Sequence, residues 1–253
     1  MPEARPTEIM AAAGAREIHD GEVVVVGIGL PWVACVLAKR THAPRLTFLL
    51  EIGVMNAEPR DTPVGVADPR NFYRATCWTS FRDVMGMSLQ RGVVDVGCLG
   101  ALEIDRFGNL NTTLLKDDSG KVRYFNGSAG GNDTASLAKR VIVIMRHQKR
   151  KLRQAIAHLT SPGFVGGQGR RELGLRGDGP HRLITDNAVI GFDPDTHSAT
   201  LLSLHPMVRL EEVVENTGFP LQIPVEVPAT PLPTPEESRL LQHEIDPMGI
   251  YLE

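Results

Sequence analysis

Short apolar runs alternate with stretches of helical spacing along most of this chain. Val23-Val24-Val25-Val26 and residues 46–50, 93–100 and 140–145 are continuous apolar segments bounded by turn residues, as Pro44 and Gly53 bound the second. Each therefore reads as a strand buried on both faces. Shorter strands are predicted over 182–185, 188–192 and 199–204, and helices over 7–18, 31–40, 80–90, 134–139, 209–217 and 235–244. Pro31 fits the first turn of its helix, where the missing N–H has no partner to lose. Ser80 reads as an N-cap with Asp83 in the first turn, and Thr234 with Glu237 three residues on forms a capping box. Strands separated by helices predict an α/β fold, a three-layer α/β/α arrangement around a mostly parallel sheet. Residues 221–235, with Pro224, Pro228, Pro231, Pro233 and Pro235, predict a stiff strap that joins no central sheet and leads to a C-terminal helix. There is no internal repeat, and 1–253 reads as a single domain.

Composition narrows the function classes. The 253 residues are 42% hydrophobic and 23% charged, with a net charge of −3, so no excess of basic charge points to nucleic acid. No window approaches the ~20 apolar residues of a membrane span, and the N-terminus lacks a basic segment followed by an apolar one. A cytoplasmic protein is expected. Cys35, Cys77 and Cys98 are odd in number and far apart, which reads as buried free thiols; the eight histidines lack ligand spacing, so no metal is expected. From Lys139 to Arg171 there is no acidic residue, while Arg140, Arg146, Lys149, Arg150, Lys151, Arg153 and Arg170 lie between them. Such a run reads first as a solvated face, and otherwise as a surface for a phosphate-bearing cofactor or a partner protein.

Glu51 is the chemical candidate. It follows the strand over 46–50, at the carboxyl end where open α/β sheets place their ligands. A carboxylate is ionised at neutral pH and can attack without a general base. The competing reading is a strand-end carboxylate paired with an arginine or capping the next helix. Gly127-Ser128-Ala129-Gly130-Gly131 leads into a helical pattern, and its main-chain N–H groups suit an oxyanion or phosphate; an ordinary loop is the alternative, and the P-loop pattern is absent. Gly27-Ile28-Gly29 lacks the third glycine of a dinucleotide fingerprint and reads as a tight strand-to-helix turn. Asp95 and Asp105 read as turn-fixing residues, and His205 as a structural histidine.

Taken together, these segments resemble the beta subunits of class I CoA-transferases, most closely the glutaconate and 3-oxoadipate type. The resemblance rests on Val26-Gly27-Ile28-Gly29-Leu30-Pro31, Leu37-Ala38-Lys39-Arg40-Thr41-His42-Ala43-Pro44, Glu51-x-Gly53, residues 95–101, Asp105-Arg106-Phe107-Gly108-Asn109-x-Asn111-Thr112-Thr113, Thr160-Ser161-Pro162-Gly163-Phe164, Leu204-His205-Pro206 and Glu215-Asn216-Thr217-Gly218. It implies a CoA-transferase (NagB/RpiA-like) fold with Glu51 as the nucleophile that forms a glutamyl-CoA thioester. Residues 127–131 would supply main-chain donors to the thioester oxygen, and Gly27, Gly29, Ile52 and Gly53 would border the substrate pocket. It further implies coenzyme A as substrate with no permanently bound cofactor, acyl-CoA and small dicarboxylic or 3-oxo acids as reactants, and a separate alpha subunit in an α2β2 or larger assembly. Ile52 stands where many relatives have a small polar residue, and Gly127-Ser128-Ala129-Gly130 where they have G-A-G-G. Branches of the same fold decarboxylate or hydrolyse CoA esters, and a non-catalytic ligand-binding or regulatory domain is the reading from another class. Retention of Glu51 favours transfer.

Overall fold

The computed structural model describes residues 4–117 and 119–253. Along the chain run α1 (Pro6–Arg16), β1 (Val23–Val26), α2 (Leu30–Arg40), β2 (Thr47–Leu50), β3 (Val54–Met55), β4 (Cys77–Trp78), a helical segment Asp83–Leu89 and β5 (Val96–Leu99). The short strands β6 (Glu103–Ile104), β7 (Leu110–Asn111), β8 (Leu114–Lys116) and β9 (Val122–Tyr124) follow, then α3 (Gly131–Leu137) and β10 (Arg140–Ile144). The chain closes with β11 (Gly179–Ile184), β12 (Ala188–Phe192), β13 (Ala199–Leu204), α4 (Leu210–Glu215) and α5 (Pro235–Leu240).

The large sheet has the order β13-β12-β11-β10-β5-β1-β2-β3-β4. From β11 to β2 all neighbours are parallel, whereas β12, β13, β3 and β4 extend it antiparallel at the two ends. The pleat sorts the apolar runs onto two faces, as the period of two requires. Val24, Val26, Cys98, Ile142 and Ile144 pack on one face with α1 and α2. Val25 and Leu49 pack on the other with Val84 and Met85, while Val141, Val143 and Leu183 meet Ala135 and Val213. The layered α/β arrangement expected from the sequence is present.

Four local expectations change. Residues 83–89 wind as a π-helix, with Gln90 N–H donating to Met85 O, five residues back, at 3.1 Å. The C-terminal helix likewise changes at Leu241 from α to π winding. The strap does reach a sheet edge: Leu201 N–H donates to Gln222 O at 2.8 Å and Thr230 N–H to Leu204 O at 2.7 Å, so it lies along β13. Cys77 is exposed on the edge strand β4, unlike the buried Cys35 and Cys98, whose thiol pKa values are pushed up by burial, that of Cys98 to about 12.

The basic region is largely engaged within the fold. Lys139 pairs with Asp95 at 2.6 Å, Arg140 with Glu22 at 2.7 Å, Arg146 with Asp186 at 3.2 Å and Arg153 with Glu103 at 3.8 Å. Arg170 is 4% exposed and forms no ion pair among the described residues; its guanidinium donates instead to the carbonyls of Ala135, Ser136, Pro162, Gly163 and Arg176. Among the described residues no helix is long and apolar enough to cross a membrane, and no group of three His, Cys, Asp or Glu is placed to hold a metal ion.

Candidate active site

Glu51 leaves the sheet at the carboxyl end of β2, and a tight turn fixes its direction. Gly53 N–H donates back to Leu50 O at 2.9 Å, reversing the chain into β3. Gly53 has φ +96°, and a Cβ there would run into the main chain of Thr79. The same close approach makes a hydrogen bond, Thr79 N–H to Gly53 O at 2.7 Å. Glycine at the third position of Glu51-Ile52-Gly53 is therefore required twice, by its left-handed backbone and by the neighbouring chain.

Thr79 also opens the 83–89 helix. The Asp83 carboxylate accepts from Thr79 Oγ1 at 2.5 Å and from Ser80 N–H at 3.1 Å, while Asp83 N–H donates to Ser80 Oγ at 3.2 Å. Hydrogen bonds from these hydroxyls hold the Asp83 pKa below the ordinary carboxylate range. Ser80 caps the helix as its sequence position suggests, and the cap carries Met85 to the glycine-rich loop.

That loop meets Glu51 directly. Gly130 N–H donates to Glu51 Oε2 at 2.7 Å. A Cβ on Gly130 would lie 2.7 Å from Glu51 Oε2 and 2.9 Å from Met85 Cε, closer than carbon tolerates. Only glycine lets the N–H, the carboxylate and the thioether share this space.

Two further segments hold the loop in place. Thr112 Oγ1 donates to Gly127 O at 2.7 Å, Thr112 N–H to Thr160 Oγ1 at 3.0 Å, and Asn132 Nδ2 to Thr160 O at 2.8 Å. Residues 160–163 are in turn fixed by Asn109, whose Oδ1 accepts from Gly163 N–H at 2.9 Å. Asp105 organises that turn by accepting from Phe107 N–H, Asn109 N–H and Asn109 Nδ2; burial raises its pKa against these hydrogen bonds. Arg170 ties the carbonyls of Ala135 and Ser136 in α3 to those of Pro162 and Gly163.

Glu51, Gly27 and all of Gly127–Gly131 line one cleft of about 410 Å³ above the carboxyl ends of β1, β2 and β5. Gly29, Ile52 and Gly53 do not line it. Gly29 precedes α2, Ile52 packs against the core beneath that helix, and Gly53 makes the turn. The apolar walls come from Val25, Val26, Leu99 and Leu110, and Glu51 is the sole charged side chain among the described lining residues. The lining also takes in Thr112, Thr134, Ser161 and Tyr251, none of them a site residue expected from the sequence; the Tyr251 hydroxyl donates to Pro63 O at 2.6 Å. Thr112 and Ser161 do fall within the motif segments; Tyr251 has no such signal.

A carboxylate at a strand end, one oxygen held by a main-chain donor, in a cleft with apolar walls, is equipped for nucleophilic acyl chemistry. Known proteins resemble this chain over nearly its whole length. Residues 7–216 match the family model described as coenzyme A transferase. A glutaconate CoA-transferase subunit of Acidaminococcus fermentans is 35% identical, covering 97% of this chain and 94% of that one. The crystal structure of glutaconate CoA-transferase from the same organism superposes with a TM-score of 0.91 at 32% identity, covering 99% of this chain and 98% of that one. A 3-oxoadipate CoA-transferase subunit of Pseudomonas knackmussii is 37% identical over 93% of this chain and 91% of its own length. The decarboxylase AibA/AibB shares the fold with a TM-score of 0.82 at 27% identity, covering 98% of this chain and 97% of that one.

Proposed function

The chain belongs to the coenzyme A transferase family, and on that footing we propose that it is the beta subunit of a class I CoA-transferase that works through a glutamyl-CoA thioester on Glu51. The contact between Glu51 Oε2 and Gly130 N–H, 2.7 Å long and inside the cleft, carries the reading.

The steps balance without an external base. Oε1, the oxygen that Gly130 does not hold, attacks the thioester carbonyl; the C–S bond breaks, giving an acyl-glutamyl anhydride and CoA thiolate. The thiolate then attacks the glutamyl carbonyl, which expels the first carboxylic acid as its anion and leaves glutamyl-CoA. An acceptor carboxylate attacks that thioester, the thiolate leaves and returns to the acceptor's carbonyl, and Glu51 is regenerated. Attack on the glutamyl carbonyl places negative charge on Oε2, already at hydrogen-bond distance from Gly130 N–H. A donor preset at the oxyanion position needs no rearrangement as charge develops, and such a donor is typically worth ~3–4 kcal/mol.

The glutaconate and 3-oxoadipate relatives are each named as one subunit of a CoA-transferase, which supports an alpha chain as partner. Exposed apolar side chains at Val64 in the cleft lining, and at Phe81 and Met87 beside and on the helical segment that carries Met85, offer it a docking surface. Free cysteines at all three positions support a reducing, cytoplasmic address.

The deciding experiment incubates the heteromer with acyl-CoA and then borohydride, followed by peptide mass mapping. Reduction of a glutamyl thioester to the alcohol lowers the mass of the Glu51 peptide by about 14 Da, and only after acyl-CoA treatment. An unmodified peptide with CO2, or with free acid and CoA, accumulating would replace transfer by decarboxylation or hydrolysis.

A further inference from the structure

The segment after α5 reaches the cleft, yet no step at Glu51 uses it. Tyr251 lines the cleft together with Val64, Gly65 and Val66. Its hydroxyl donates to Pro63 O at 2.6 Å, across 188 residues of sequence. Burial and the neighbouring Asp246 and Asp68 carboxylates raise the phenol pKa, so the hydroxyl keeps the proton it donates. The main chain around Tyr251 is fixed as well. The Asp246 carboxylate accepts from Ile250 N–H at 2.9 Å, Tyr251 N–H at 2.7 Å and Leu252 N–H at 2.9 Å, and Thr7 Oγ1 of α1 donates to Leu252 O at 2.6 Å. A rigid base therefore carries the phenol to Pro63.

The cleft wall that follows Pro63 is held by two further side chains. The Asp68 carboxylate accepts from Val64 N–H at 2.9 Å. Asn71, 0% exposed, donates through Nδ2 to Gly65 O at 2.9 Å and to Val66 O at 3.0 Å, while its Oδ1 is buried with no hydrogen-bond partner among the described residues. A buried acceptor left unpaired costs stability. What the amide secures in exchange is the place of Gly65 and Val66 in the cleft.

Resting on the CoA-transfer reading, we propose that Tyr251 is a positioning residue, whose hydroxyl fixes Pro63 and through it the 64–66 wall against which the acyl-CoA lies. The hydroxyl hydrogen is committed to Pro63 O, so it is not a donor to an oxyanion. A wall that touches the ligand away from the reacting carbonyl contributes alike to the ground state and the transition state. Its loss is read in binding more than in turnover.

The test compares wild type, Tyr251→Phe and Thr7→Val in the heteromer. Equilibrium dialysis gives Kd for S-butyl-CoA, a thioether that Glu51 cannot attack, beside steady-state kinetics with acyl-CoA and thermal unfolding. Tyr251→Phe keeps the ring and removes one neutral hydrogen bond, so Kd and KM rise about fivefold while kcat changes by less than about twofold. Thr7→Val takes a buried hydrogen bond from the same segment away from the cleft; it lowers Tm and leaves Kd and KM unmoved. Unmoved Kd and KM in Tyr251→Phe, whatever its Tm, overturn the proposal, and so does an equal rise in Thr7→Val, which marks general loosening of the segment. Dialysis needs no turnover, so the two readings fail separately. Borohydride labelling of wild-type Glu51 with an unmoved Kd and KM rejects only the role of Tyr251; no labelling with a Kd that rises in Tyr251→Phe alone rejects transfer and upholds the positioning role.

Discussion

Gly130 N–H and Glu51 Oε2 are 79 residues apart in sequence and 2.7 Å apart in space. The contact joins the end of a parallel strand to the entry of a helix from the opposite layer, so neither partner's position is defined by its own segment.

Adding one methyl group to Gly130 tests that contact. In Gly130→Ala the Cβ displaces Glu51 or Met85, which approach to 2.7 and 2.9 Å of its position. We expect kcat to fall about 10²–10³-fold, the usual cost of a lost oxyanion donor, with the heteromer still folded. Steady-state kinetics beside thermal unfolding check this; unchanged kcat contradicts the role of the loop.

Gly53→Ala acts on stability. The residue has φ +96° and faces the Thr79 main chain, so alanine adds backbone strain and a clash that no side-chain rotation relieves. A loss of about 3 kcal/mol is expected, which lowers Tm by roughly 6–12 °C for a chain of this length. Denaturant titration of the purified heteromer measures it.

Replacing Arg170 should be equally damaging. Its guanidinium is buried against five carbonyls, and burial brings its pKa down to about 10. Arg170→Leu strands those carbonyls and is expected to cost about 3–5 kcal/mol. Because the same carbonyls belong to α3 and to the segment carrying Ser161, catalytic rate measured well below the unfolding temperature should fall too.

Stability should decline on mild acidification. His147 lies between Thr185 Oγ1, 2.9 Å from Nδ1, and Val213 O, 3.2 Å from Nε2; His205 lies between Thr230 Oγ1 at 2.9 Å and Thr185 O at 2.7 Å. Burial lowers both pKa values despite hydrogen bonds to carbonyls and the nearby Asp186. The unfolded chain takes up protons at the ordinary histidine pKa of about 6.5, the folded one only at lower pH, so their contribution is complete above pH ~6.5 and is lost as pH falls toward the folded values. Urea midpoints at pH 7.5, 6.0 and 5.0 should decrease, and less steeply in His147→Gln and His205→Gln. Identical slopes in the three proteins would exclude this origin.

The central strands were legible because parallel strands buried on both faces are written as continuous apolar runs, as in Val23–Val26. Glu51 stood out for the same reason, as a carboxylate directly after such a run. β3 and β4 have two residues each and no period to detect; they exist because β2 reverses at Gly53. Their addition put Cys77 on an exposed edge, against its reading as a buried thiol. The π winding of 83–89 is not written in the apolar spacing, which suits an α-helix equally well. Placing Thr112, Ser161 and Tyr251 in one cleft required contacts between distant segments, which an unaligned chain does not display.

The strap along β13 has a consequence for how this sheet can grow. It occupies the hydrogen-bonding side of that strand, and its prolines lack the N–H groups needed to receive another. At the opposite end no strand among the described residues pairs with the outer side of β4, where Cys77 and Trp78 are exposed. A sheet with a single available margin can join one other such margin and then has none left. Edge-to-edge pairing therefore terminates at two molecules instead of propagating into a fibre.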